Sequence, residues 1–201
     1  MMKGKIKDID FGRGAARYDR SMGRVSRRFY KLLVAQAEPA PGEAVLDAGC
    51  GTGAVLRMMA DACPISGFGI DMAENMVGQA RRKCPEMDIR LSRCESTPFE
   101  DNFFDMVVSC MAYHHFSDKA GFAKEAARIL KPGGRLYIAD PRLPPPVRKF
   151  VNAVFRLFRV AGEFCSPDEI FEKFAKYGFE PDGFAKDGYA QVVVMRRAGA
   201  K

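Results

Sequence analysis

The stretch Val45-Leu46-Asp47-Ala48-Gly49-Cys50-Gly51-Thr52-Gly53 decides the fold of this chain, because an apolar strand runs through one carboxylate into three alternating glycines. Such glycines permit a tight turn and close approach of main chain to ligand. A helix beginning beyond them presents free N–H groups at the carboxyl end of a parallel strand. That geometry suits a nucleotide-like ligand. Gly49-x-Gly51-x-x-Ala54 also fits the dinucleotide fingerprint, whose last position tolerates Ala, so the glycines alone leave the ligand open. Asp47 narrows the choice. Two residues before the first glycine, a carboxylate repels a doubly anionic pyrophosphate and attracts an ammonium or sulfonium. A ligand carrying positive charge is expected.

Working outward, Ile65 to Ile70 reads as a second strand ending at Asp71, where an acidic side chain can accept both ribose hydroxyls. Pro98-Phe99-Glu100-Asp101-Asn102-Phe103-Phe104-Asp105-Met106-Val107-Val108 and Leu130-Lys131-Pro132-Gly133-Gly134-Arg135-Leu136 follow as turns into later strands. In this order, from about 45 to 140, the segments resemble the class I S-adenosylmethionine-dependent methyltransferases. The resemblance is to the methyltransferase type 11 group, which includes quinone-biosynthesis C-methyltransferases. It implies S-adenosylmethionine as cofactor, with Asp47, Gly49, Cys50, Gly51 and Gly53 around its amino acid part and Asp71 on its ribose. Met72 is expected against the adenine face, main-chain groups of Cys94 and Glu95 near the adenine, and Met76 and Cys110 in the same pocket. Tyr18, in Ala15-Ala16-Arg17-Tyr18-Asp19, looks like the N-terminal tyrosine that closes over the cofactor in similar enzymes, or else it is core. One position departs from the pattern. Where such proteins carry an acidic residue for the adenine amino group, this chain has Arg93, which has no acceptor.

The chain's only two histidines, His114 and His115, stand together after the fourth strand, at the edge where α/β folds hold substrates. Methyl transfer from a sulfonium is an in-line displacement that needs positioning, and a hydroxyl or acidic carbon acceptor also needs a base. Either histidine is a candidate for that base; the plain alternative is that one caps a helix from Ser117 while the other packs against the cofactor. Cys110 as a nucleophile toward pyrimidines lacks a preceding Pro and a neighbouring base, so a small buried residue is expected there. The stretch also lacks an Asn- or Asp-Pro-Pro-aromatic signature, which argues against methylation of exocyclic base amines. Asp140, ending the fifth strand, suits a substrate contact, a helix cap or a turn equally.

With 201 residues, 47% hydrophobic and 28% charged, the chain has the size of one domain with a substantial core. The six cysteines form no CxxC pair, so neither a disulfide framework nor a metal site is expected. The N-terminus reads as charged rather than as a signal peptide, and no apolar run suits a transmembrane helix, so a cytoplasmic location is expected. The net charge of +7 permits an anionic partner without identifying nucleic acid. The expected partner is a small-molecule acceptor, with a homodimer possible and RNA modification or cofactor binding without methyl transfer as alternatives.

The expected fold is α/β, a Rossmann-like doubly wound sheet, mostly parallel, with a C-terminal antiparallel hairpin. Strands are predicted near Ala44–Asp47, Ile65–Ile70, Ile89–Ser92, Met106–Cys110 and Arg135–Ala139, and helices near Ala54–Ala62, Ala73–Lys83 and Lys119–Leu130. The hairpin pairs Phe179–Phe184 with Ala190–Arg196. The predicted organisation is one methyltransferase domain: an N-terminal helical lid over 1–43, a core over 44–140, an insertion with helices over 141–178 and the hairpin over 179–201. Within the insertion, Val147 to Ala161 is amphipathic and basic. It is predicted as a lid, with Phe150, Phe155 and Phe158 near the acceptor. A dimer contact and an anionic membrane surface are the other readings.

Overall fold

In a computed structural model that describes residues 23–158, 160 and 162–199, one seven-stranded sheet has the order β3-β2-β1-β4-β5-β7-β6. Its strands are β1 (Ala44–Ala48), β2 (Ser66–Asp71), β3 (Asp88–Leu91), β4 (Phe104–Cys110), β5 (Leu130–Pro141), β6 (Phe179–Asp187) and β7 (Ala190–Arg197). The helices are α1 (Gly23–Ala37), α2 (Ala54–Ala62), α3 (Glu74–Lys83), α4 (Lys119–Ile129), α5 (Pro145–Phe158) and α6 (Pro167–Ala175), with a short 3₁₀ turn at Tyr113–His115. The first five strands pair in parallel, and only β7, antiparallel to both β5 and β6, runs against the rest.

β1 and β4 are mostly apolar because helices cover both faces of the sheet. On one face, Phe122 and Ala126 of α4 and Ile170 and Phe174 of α6 pack on Leu46, Val107 and Ile138. On the other, Phe29, Leu33 and Ala37 of α1, spaced one helical turn apart, meet Val55 and Met59 of α2 over Val45, Met106 and Val108. α6 begins in a capping box, where the Ser166 hydroxyl accepts from Glu169 N and the Glu169 carboxylate accepts from Ser166 N.

Three sequence expectations are corrected. α4 ends at Ile129, and β5 starts immediately at Leu130, which pairs with Phe104. The next pair is Arg135 with Met106, so residues 131–134 loop out of the ladder as a bulge at Pro132-Gly133-Gly134. The third concerns the insertion. α5 forms as predicted, yet it has no buried residue: Phe150 and Phe158 face outward and only its Arg148, Val151, Asn152, Val154 and Phe155 positions are half-buried.

Candidate functional site

The carboxyl ends of β1, β2 and β4 open on a cavity of about 530 Å³. It lies where the strand order reverses between β1 and β4, the position at which open α/β sheets bind ligands. Main-chain hydrogen bonds fix its floor. The N–H groups of Gly49 and Cys50 donate to the Ile70 carbonyl at 2.8 and 2.9 Å, tying the loop after β1 to the end of β2. Asp71 then accepts from Gly51 N at 2.9 Å and from Ala73 N at 2.8 Å, one bond to each carboxylate oxygen. Each oxygen keeps acceptor capacity for a ligand hydroxyl. Burial raises the Asp71 carboxyl above its ordinary range, against the opposing pull of those N–H groups.

Gly49 has φ +79°, and a Cβ there would fall 2.6 Å from Ala112 Cβ, so no other residue fits without moving the loop after β4. That loop is itself shaped by Met111, a non-glycine residue at φ +55° whose N–H donates to Ala139 O at 2.8 Å. Gly49, Cys50, Gly51, Met111 and Ala112 all line the cavity. Gly53 does not. A Cβ on Gly53 would meet Ala80 Cβ at 3.2 Å, so this glycine serves the close packing of α2 on α3.

Asp47 lines the cavity at 1% exposure, and its Oδ1 has no hydrogen-bond partner among the described residues. Burial first, and the charge of Asp71 second, push its carboxyl up to about 8. A buried acid so placed is stabilised in its ionised form by a cationic ligand. Cys110 lies beside it. Its thiol is driven well above the ordinary range by burial and then by Asp47, the opposite of what a nucleophile requires.

At the other end, Met72, Met76, Ser92, Cys94 and Glu95 line the cavity. Arg93 does not line it: its guanidinium is held by the Glu95 carboxylate and its side chain is 55% exposed. Among the lining residues that the sequence reading missed are Tyr30, brought in by α1 from beside the buried Phe29, and Phe116 and Ser117 beyond the 3₁₀ turn. Tyr18 lies outside the described residues.

The two histidines are separated by the 3₁₀ turn. His115 lines the cavity, and burial first, then the charges of His114 and Lys119, lower its pKa to about 3. His114 does not line the cavity; its Nδ1 is 2.8 Å from Asp140 Oδ1, with both side chains buried. The Phe164 ring stacks on His114 at 4.8 Å, and the His114 and His115 rings lie 3.9 Å apart. Asp140 therefore supports His114 and neither caps a helix nor reaches the cavity. No residue of α5 lines the cavity, so Phe150, Phe155 and Phe158 stand outside its walls; Phe155 packs on Phe164.

Fold and cavity define the class I methyltransferase architecture. Residues 46–138 match the family model described as a methyltransferase domain. Over 163 residues the chain is 33% identical to the demethylmenaquinone methyltransferase of Chlorobaculum parvum, covering 78% of this chain and 65% of that protein. It is 32% identical over 154 residues to the nocamycin O-methyltransferase of Saccharothrix syringae, covering 73% of this chain and 55% of that one. The chain thus spans less than two thirds of these relatives' length. Among solved structures, the methyltransferase in complex with the Haloferax volcanii Trm112 methyltransferase activator has a TM-score of 0.84 at 23% identity, covering 96% of this chain and 100% of that one. The geranyl diphosphate C-methyltransferase of Streptomyces coelicolor, solved with S-adenosyl-L-homocysteine, has a TM-score of 0.74 at 16% identity, over 96% and 86% of the two chains. Residues 46–138 belong to the methyltransferase domain family, and the fold is that of the class I enzymes, whose cofactor is S-adenosylmethionine.

The cavity fits that cofactor by its own chemistry. The unpartnered Asp47 oxygen suits the cationic amino acid and sulfonium end, Asp71 suits a ribose diol, and the half-polar end at Ser92, Cys94 and Glu95 suits adenine.

Proposed function

We propose that this chain is a methyltransferase that transfers a methyl group from S-adenosylmethionine to a small-molecule acceptor. The observation that carries this reading is one cavity with a buried carboxylate, Asp47, and a half-buried one, Asp71, at its cofactor end and a neutral imidazole, His115, on its wall. S-adenosylmethionine supplies an electrophilic methyl group on a sulfonium. Asp47 holds the cationic end of the cofactor and Asp71 the ribose, while the missing side chain of Gly49 leaves room for the loop at Ala112. His115 is the base that takes the proton of a hydroxyl or acidic carbon acceptor: it lines the cavity and is uncharged at neutral pH, and because its lowered pKa also makes it a weak base, the proton moves as methyl transfer itself raises the acceptor's acidity. Asp140 holds the His114 ring in place, and that ring lies against His115, so the pair positions the base.

Relatives named for demethylmenaquinone and nocamycin support a small-molecule acceptor, and a cytoplasmic location without a nucleic-acid partner is part of the same proposal. The test is labelled-methyl transfer from S-adenosylmethionine in metabolite extracts, with calorimetry of S-adenosylhomocysteine binding alongside. Binding with label in a small molecule is expected. Label in RNA, or binding with no transfer to any fraction, overturns the proposal.

A further inference from the structure

We infer that α5 is an interfacial helix that docks this protein on anionic lipid bilayers. Val147, Phe150, Leu157 and Phe158 are 46%, 69%, 76% and 68% exposed, and with Val154 they recur at helical spacing along one face. A soluble helix normally buries such a face. This one does not, because α5 is held to the molecule by a different side: Asn152 exchanges two hydrogen bonds with the Phe164 main chain at 2.9 Å, Arg148 pairs with Glu169, and Phe155 packs on Phe164. The apolar face is thereby fixed outward.

Charge identifies what covers it. Between Pro141 and Gly162 there are five basic residues, Arg142, Arg148, Lys149, Arg156 and Arg159, and no acidic one, so this segment carries +5 of the chain's net +7. Lys149 and Arg156 lie exposed on the remaining side of α5. An apolar face bordered by basic residues without acids is the pattern of helices that lie in the headgroup region of anionic membranes. A second copy seated on the same face would bring two such segments together, like charge against like. No helix among the described residues is long and apolar enough to cross a membrane, so attachment would be peripheral. The Phe155–Phe164–His114 chain of ring contacts links the docked helix to the turn that carries His115.

The test is sedimentation of the full chain with large vesicles of pure phosphatidylcholine and of phosphatidylcholine containing about a third phosphatidylglycerol, over a salt series. Binding is expected to the anionic vesicles only and to weaken with salt. Phe150→Ser and Leu157→Ser should each lower vesicle affinity roughly tenfold, the loss expected for removing one large apolar side chain from an interface. Lys149→Glu with Arg156→Glu should abolish the preference for anionic vesicles. Circular dichroism and cofactor binding, both expected unchanged because none of these residues touches the cavity, distinguish lost docking from lost folding. No binding to anionic vesicles, or binding unaffected by the serine variants, overturns the inference. So does light scattering that finds a dimer dissociated by Phe150→Ser, which would assign the face to a second copy. Failure of methyl transfer leaves these readouts untouched.

Discussion

With its carboxyl pushed up to about 8, Asp47 is largely protonated at neutral pH, and a cationic ligand favours the ionised form. Cofactor binding at pH 7 should therefore release a proton, visible as a buffer-dependent calorimetric enthalpy, and affinity should rise from pH 6 to pH 8. Asp47→Asn should remove that dependence and weaken binding by about 10- to 100-fold, the range for one buried charged hydrogen bond. The effect on stability has the opposite sign. The folded chain keeps a proton that the unfolded chain releases near 3.8, so this group destabilises the ligand-free protein increasingly as pH rises from about 4 to about 8. Asp47→Asn should raise its melting temperature above pH 5. His115 gives a second signature at this scale. A base with its pKa lowered to about 3 is active throughout the neutral range, so turnover at saturating cofactor should hold steady down to pH 5. An inflection at pH 6–7 would show an ordinary imidazole instead. His115→Ala should lower turnover by roughly 10²- to 10⁴-fold with cofactor affinity nearly unchanged.

At the scale of elements, Asn152 is one of the ties that hold the segment between α5 and α6, beside Glu163 N donating to His114 O at 2.7 Å and Gln191 Nε2 donating to Cys165 O at 3.1 Å. Asn152 both donates to and accepts from the Phe164 main chain. Asn152→Ala should cost about 1–3 kcal/mol, with faster hydrogen exchange at residues 162–165 and little change in β1 and β4. The sequence carried the elements unevenly. β1 and β4 were legible because strands covered on both faces are mostly apolar, interrupted here only by Asp47, Asp105 and Ser109, and α1 because Phe29, Leu33 and Ala37 keep one stripe. For α5 the apolar stripe was equally clear, but periodicity names a face and not what lies opposite it. Docking through Arg148 and Asn152 turned that face outward. Nor does sequence distinguish His114 from His115, adjacent residues that a 3₁₀ turn directs to a buried carboxylate and to the cavity. The bulge in β5 was hidden for a like reason. Lys131 to Gly134 read as a turn, whereas Leu130 already pairs with Phe104 on the strand beside it.

For the whole molecule, the cavity draws its walls from β1, β2, β4, α1 and the loops between them, so a ligand there joins parts distant in sequence. S-adenosylhomocysteine at 100 times its Kd should stabilise the fold by about 2.7 kcal/mol. For a chain of this size that is a rise of about 5–10 °C in melting temperature, measurable by a thermal shift assay. Asp71→Ala should erase most of that rise, since the carboxylate would no longer join the Gly51 loop to Ala73 or meet the ribose. The two ends of the sheet bear on another property. β3 is four residues long, with Asp88 and Arg90 paired to each other on it, and β6 carries Pro181, Asp182, Gly183 and Lys186 with a register break at 181–183. Neither rim offers a flat row of open N–H and C=O groups, so chains of this protein are kept from adding strand to strand into fibres. That protection resides in side chains far from the ligand. Replacing Pro181 and Asp182 with valine would leave the cavity intact and expose a template for amyloid-like growth.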